Sequence, residues 1–129
     1  MENFESLLRR HKLDNDRVEI IKKMDRDKIL PLLPNLLEWI QDMNWPVAPS
    51  VLEILLTFPE EIVPYVQDVL TSSDDDNWKW FILHYLVLEL PRESRVQFRE
   101  YLTRVSETPT RNELAEELDE IAKKILETI

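Results

Sequence analysis

The chain has 129 residues, 43% of them hydrophobic, with no glycine, no cysteine and a net charge of −10. The lack of glycine excludes the Gly-rich phosphate loops, dinucleotide-binding turns and nucleophile elbows, which need positive φ or a close backbone approach. The lack of cysteine excludes disulfides, thiolate nucleophiles and Cys-ligated metals.

Residues 2–10 read as a short helix with Phe4, Leu7 and Leu8 on one side. Asp16 and Glu19 stand at capping spacing for a helix that turns Val18, Ile21 and Met24 inward. Pro31 and Pro34 punctuate the next stretch. Proline suits a first helical turn and disrupts a helix interior, so a new helix is expected over 34–43, with Leu36, Leu37 and Ile40 inside. Trp45-Pro46 breaks the chain. A helix then runs to about Thr57 with Val51, Leu52, Leu55 and Leu56 on its apolar face, and Pro49 in its first turn. The next helix is expected from Pro59 to about Thr71, with a kink or restart at Pro64. After a polar loop from Ser72 to Asn77, a helix over 78–90 is apolar nearly all round, which places it at the centre of the domain. Pro91 opens a helix to about Ser106. Thr110 and Glu113 form a capping box for a last helix with Leu114, Leu118, Ile121 and Ile125 inward. Asp119–Lys123 and Glu120–Lys124 stand at ion-pair spacing on it.

These elements repeat. Pro34 recurs as Pro64, Asn44-Trp45 as Asn77-Trp78, and Pro59 as Pro91, at offsets of 30 to 33. Leu36 and Ile40 correspond to Val66 and Leu70, and these to Phe98 and Leu102. A period of this length in a helical chain means stacked helix pairs, an architecture that presents surfaces to partners. The stretch Leu33-Pro34-Asn35-Leu36-Leu37-Glu38-Trp39-Ile40-Gln41-Asp42 leading into Trp45-Pro46-Val47 resembles the junction between successive HEAT repeats, and residues from Ile62 to Trp78 repeat the pattern. The Met43-to-Ala48 segment and the closing Glu-Glu-Leu-Asp-Glu-Ile-Ala-Lys-Lys-Ile-Leu also resemble a family of short bacterial proteins of unknown function. The resemblance implies a helical-repeat fold and a cytoplasmic setting, and supplies no catalytic residues.

Charge is uneven. Residues 44–90 carry Lys79 against eight carboxylates, whereas both flanking segments are near balance. An acidic centre repels phosphate backbones and fits a basic protein partner. His11 and His84 are too far apart in sequence to begin a metal site, and His84 reads as a core histidine. Asp74-Asp75-Asp76 lacks the spaced oxygens and glycine of a calcium loop and reads as a solvated loop with a helix cap. Glu60-Glu61 suits a helix start. Arg92, Arg95 and Arg99 share a face and are expected to pair with Glu113, Glu116, Glu117 or Glu120, or to be solvated. Trp45 and Trp78 occupy equivalent junctions, which points to a structural role, with a binding surface as the alternative. Trp78 and Trp80 lie about 200° apart on a helix and so face different neighbours.

The sequence therefore predicts one all-α domain over 1–129: a right-handed stack of HEAT-like antiparallel helix pairs, repeat-like over about 28–106, with terminal capping helices. The expected function is a non-enzymatic protein-interaction module, of inhibitor or immunity type, masking a basic partner. Trp45, Glu53, Asp74, Asp75, Asp76 and Trp78 are the candidate contact residues. No catalytic residue, cofactor, metal, nucleic acid or membrane is expected, and the location is cytoplasmic because no export signal precedes the domain. The alternative is a small enzyme that uses His84, Tyr85 or the carboxylates in a polar groove.

Overall fold

Prolines and short polar side chains decide where the helices of this chain begin. The computed structural model describes residues 15–129. The helix expected over 2–10, His11 and the Asp16 side chain of the Asp16–Glu19 cap lie outside the described residues. Helix α1 (Asn15–Lys22) buries Val18 and Ile21. A short helix α2 (Arg26–Ile29) and a 3-10 turn (Leu30–Leu32) lead into α3 (Leu33–Glu38). Pro31 and Pro34 both fall at first-turn positions, where the missing N–H has no intrahelical partner to lose. α3 is shorter than its apolar pattern predicts. The N–H groups of Trp39 and Ile40 donate to the carbonyls of Leu36 and Leu37 at 3.0 and 3.3 Å. These i→i−3 bonds tighten and end the helix, while both side chains stay buried.

After turns through residues 39–47, α4 (Ala48–Leu56) carries Pro49 in its first turn. Its core face is Val51, Ile54 and Leu55. Helix α5 (Val63–Ser72) does not begin at Pro59. Residues 59–62 form turns, and α5 starts so that Pro64 sits in its first turn, the restart expected of that proline. The central helix is composite: α6 (Asp76–Phe81), a π-helical turn (Ile82–Leu86) and a 3-10 turn (Val87–Glu89). Asp75 caps α6 by accepting the Trp78 N–H at 2.9 Å. Ile82, Leu83, Leu86 and Val87 are buried, whereas Trp80, Phe81, His84 and Tyr85 are half-buried. α7 (Arg92–Arg95), a 3-10 turn (Val96–Phe98) and α8 (Arg99–Glu107) follow Pro91.

The last helix departs from its predicted form. It divides into α9 (Arg111–Ala115) and α10 (Leu118–Leu126), because Glu117 takes a left-handed backbone, φ 60° and ψ 29°. The break re-phases the apolar stripe. Leu118, Ile121 and Ile125 are buried as expected, but Leu114 is 52% exposed and Glu113 is buried in its place.

Among the described residues there is no strand, and no helix long and apolar enough to cross a membrane. Leu36, Ile40, Val66, Leu70, Phe98 and Leu102, the six positions related by the repeat, all lie in one core. Burial of each contributes roughly 1.5–3 kcal/mol. α1 packs on α4, α4 on the π turn, and the π turn and α6 on α10; α3 packs on both α4 and α5, and α8 on α10. The turns between helices are also tied together. Arg26 donates to the Thr57 carbonyl at 2.9 Å and lies over the Phe58 ring at 4.1 Å, and the buried Ser94 hydroxyl donates to the Pro59 carbonyl at 2.9 Å.

Candidate functional site

Because Pro64 places α5 in register, Val63, Val66 and Leu70 point into the core and Tyr65, Gln67, Asp68 and Thr71 face outward. α5 thus forms a ridge between two grooves. The larger, about 650 Å³, lies between α5 and the Val96–Glu107 segment. Its floor is Leu70 and Phe98, and its walls carry Gln67, Asp68, Thr71, Gln97, Glu100, Tyr101 and Arg104. The Gln67 side-chain amide spans it to the Gln97 carbonyl at 3.0 Å. The smaller groove, about 270 Å³, lies between α3 and α5, with Glu38, Tyr65, Asp68 and the edge of Trp78 in its lining.

Among the described residues Arg104 is the one cation lining either groove, and its charge is already met. Its two terminal nitrogens donate to the two carboxylate oxygens of Glu113 at 3.0 and 2.6 Å. The same Glu113 accepts the Thr110 N–H at 2.8 Å and donates its own N–H to the Thr110 hydroxyl at 3.1 Å, closing the predicted capping box. The Arg104 hydrogen bond holds the Glu113 carboxyl below its ordinary range, against the opposing effect of burial, and Glu113 in turn raises Arg104. Burial pushes the Tyr101 phenol upward; Glu113 adds to the shift and Arg104 opposes it. The Tyr101 hydroxyl is buried without a hydrogen-bond partner.

The candidate contact residues do not form one patch. Trp78 is 9% exposed and its indole N–H donates to the Leu37 carbonyl at 3.1 Å, so it holds α3 against the central helix. Asp76 pairs with the buried Lys79 at 3.3 Å. Glu53 pairs with Lys22 at 2.5 Å in a separate depression, which raises Lys22. Asp75 is exposed but engaged as a cap, Asp74 is exposed, and Trp45 is half-buried against the core. The acids that face the grooves are instead Glu38, Asp68 and Glu100. Their spacing follows the repeat: Glu38 and Asp68 are thirty residues apart and Glu100 thirty-two further on, so the period that located the core could also have located them.

Of the other expectations some hold, solvated Arg92 and Arg99 and the Asp119–Lys123 pair among them, and some are corrected. Glu113 pairs with Arg104, not with the Arg92–Arg99 stripe. Arg95 donates to the carbonyls of Leu90 and Thr128 at 2.7 and 3.3 Å, and Arg92 and Arg99 are exposed. Glu60 and Glu61 lie in the turn before α5, not in its first helical turn, and Glu61 reaches Arg26 at 3.5 Å. His84 is not a core histidine, since it is half-buried and stacked on Trp80 at 4.6 Å. Asp119 and Lys123 approach to 3.9 Å. No group of three or more metal-ligating side chains converges among the described residues.

Fold and grooves together define an all-helical domain with an acid-lined face. The chain belongs to the family described as a domain of unknown function, DUF5071, which matches residues 7–126. Among curated proteins none matches it.

Proposed function

We propose that this chain is a non-enzymatic protein-interaction module that masks a basic partner, as an inhibitor or immunity-type protein would. In this reading the helices form HEAT-like pairs. α3, α5 and α8 line the side that receives the partner, and a basic segment lies across α5 with cationic side chains in both grooves. One observation carries the reading: among the described residues the single cation of the lining is neutralised by Glu113, and Glu38, Asp68 and Glu100 form no ion pair with any of them. Such a surface attracts and orients a basic chain, and its contribution is felt mostly in the association rate. The Glu113 carboxyl is shifted down and bound on both oxygens. That state suits a structural anchor, whereas a general acid needs a raised value.

The test begins with affinity capture from the native cell and identification of the partner by mass spectrometry. Association rates of wild type and of the Asp68→Lys/Glu100→Lys double variant are then measured from low to physiological salt. The expected outcome is a rate that falls with salt and drops about tenfold or more in the variant. A rate indifferent to both would overturn the reading.

A further inference from the structure

On the opposite side of the central helix from its buried residues, the sequence Trp80-Phe81 followed by His84-Tyr85 makes a ridge. Side chains four apart on a helix are neighbours, and here all four rings touch. Trp80 and His84 are stacked with their planes 11° apart, His84 and Tyr85 meet edge to face at 4.9 Å, and Phe81 and Tyr85 lie 6.0 Å apart. None of the four is buried. Trp80 packs in part against the core, and none of the four lines the grooves beside α5. Trp80 and Phe81 precede the π turn and His84 and Tyr85 lie within it, and such irregularities concentrate at functional sites.

Beside the ridge lies a pocket of about 200 Å³, lined by Asn77, Trp80, Ala115, Glu116 and Glu117. Among the described residues it contains one aromatic ring, one amide and two carboxylates, and no cation. Neither glutamate forms an ion pair with a described residue. Its shape depends on the left-handed Glu117, the one positive-φ residue among those described.

We propose that this pocket takes an arginine side chain of a protein partner, with the guanidinium stacked on Trp80 and its N–H groups donated to Glu116 and Glu117. Charge complementarity identifies the occupant. A planar cation matches both a ring face and paired carboxylates, whereas the compact, strongly hydrated lysine ammonium matches the ring less well. His84 covers one face of Trp80 and fixes the ring, so little ordering remains to be done on binding. This surface is separate from the grooves beside α5 and stands or falls without them.

The probes are hexa-arginine and hexalysine peptides at low ionic strength. Affinities are measured by isothermal titration calorimetry, and the site is located through the Trp80 indole N–H resonance, assigned by its loss in Trp80→Leu. Hexa-arginine should shift that resonance and bind several-fold tighter than hexalysine. Trp80→Leu should weaken hexa-arginine binding about three- to thirtyfold, the span of a partly to fully desolvated cation–π contact. Glu116→Gln/Glu117→Asn, which keeps the ring and a residue tolerant of the left-handed backbone, should weaken it by a similar factor. Asp68→Lys/Glu100→Lys should leave the Trp80 shift in place, which separates this site from the grooves. Equal affinity for the two peptides, or shifts that avoid Trp80, would overturn the proposal. So would sedimentation showing a dimer that Trp80→Leu dissociates and hexa-arginine does not displace, since the ridge would then be covered by a second copy.

Discussion

The centre of this domain and its carboxy-terminal corner solve the same packing problem by different means. Between α3, α5 and the Val96–Glu107 segment the helices are held by buried apolar side chains, Leu36 and Ile40, Val66 and Leu70, and Phe98 and Leu102. At the corner, α8 meets α9 through a polar clasp: the bidentate Arg104–Glu113 pair, the Thr110 cap and the left-handed turn at Glu117. Apolar packing tolerates small angular changes because it is non-directional, whereas a bidentate pair demands one geometry. The centre is thus held by packing that has no preferred direction, and the corner by contacts that fix one orientation.

The sharpest way to break the contrast is to truncate the centre. Phe98→Ala should cost about 3–5 kcal/mol, and Leu83→Ala and Val66→Ala about 2–5 kcal/mol or slightly less for the smaller side chain, read from urea midpoints at constant m. Losses below about 1 kcal/mol at all three would mean the core is not where the repeat places it.

Breaking the corner should cost less. Glu113→Ala strands the Thr110 N–H and Arg104, at about 1–3 kcal/mol. The lower end applies because Arg104 is 46% exposed and finds water. This contribution also depends on pH. The folded carboxyl lies below its ordinary value of 4.5, so the unfolded state binds the proton first. The stabilisation is complete above about pH 4.5–5 and is lost as pH falls through the folded value. Stability measured from about pH 6 down to about pH 3 should fall less steeply for Glu113→Gln than for wild type, and parallel curves would remove Glu113 from that role.

Smaller effects sharpen the picture. Glu117→Gly should stabilise by roughly 0.5–1 kcal/mol, because a non-glycine residue is strained at φ 60° and glycine is not. A destabilised variant would show that the turn is held by side-chain contacts. The smallest effect is expected at Leu114→Ala, within about 0.5 kcal/mol, against about 2–5 kcal/mol at Leu118→Ala. Comparable losses at both would mean that α9 and α10 form one continuous helix in solution.

Much of the fold was legible because it is local. Pro34, Pro49 and Pro64 each fit only a first turn, and each begins a helix there. The Thr110–Glu113 signature formed the box it foretold. The core stripes of α1, α5 and α10 followed helical spacing. The candidate site was less legible. Asp74 to Asp76 stood out as a charge run, yet Asp75 is engaged as a cap and Asp76 in a pair, while the groove acids Glu38, Asp68 and Glu100 are isolated in sequence. Likewise the junction position of Trp78 pointed to a structural role with a contact role as alternative, but the partner of its indole N–H, a carbonyl forty-one residues away, is a meeting no local pattern encodes.

By itself the sequence determined that the chain is helical, where most helices start and which side chains form the core, since these arise from backbone sterics, caps and apolar period. Which charges find an ion-pair partner among the described residues depends on how the helices meet. Arg104 was one of several arginines near several glutamates, and its choice of Glu113 required α9 to fold back against α8. The same is true of the Trp80 ridge and the break at Glu117. A π turn and a left-handed residue carry no sequence signal of their own. They accompany the burial of Ile82, Leu83, Leu86 and Val87, and then of Leu118 and Ile121, which stabilises the domain by more than two such irregularities cost.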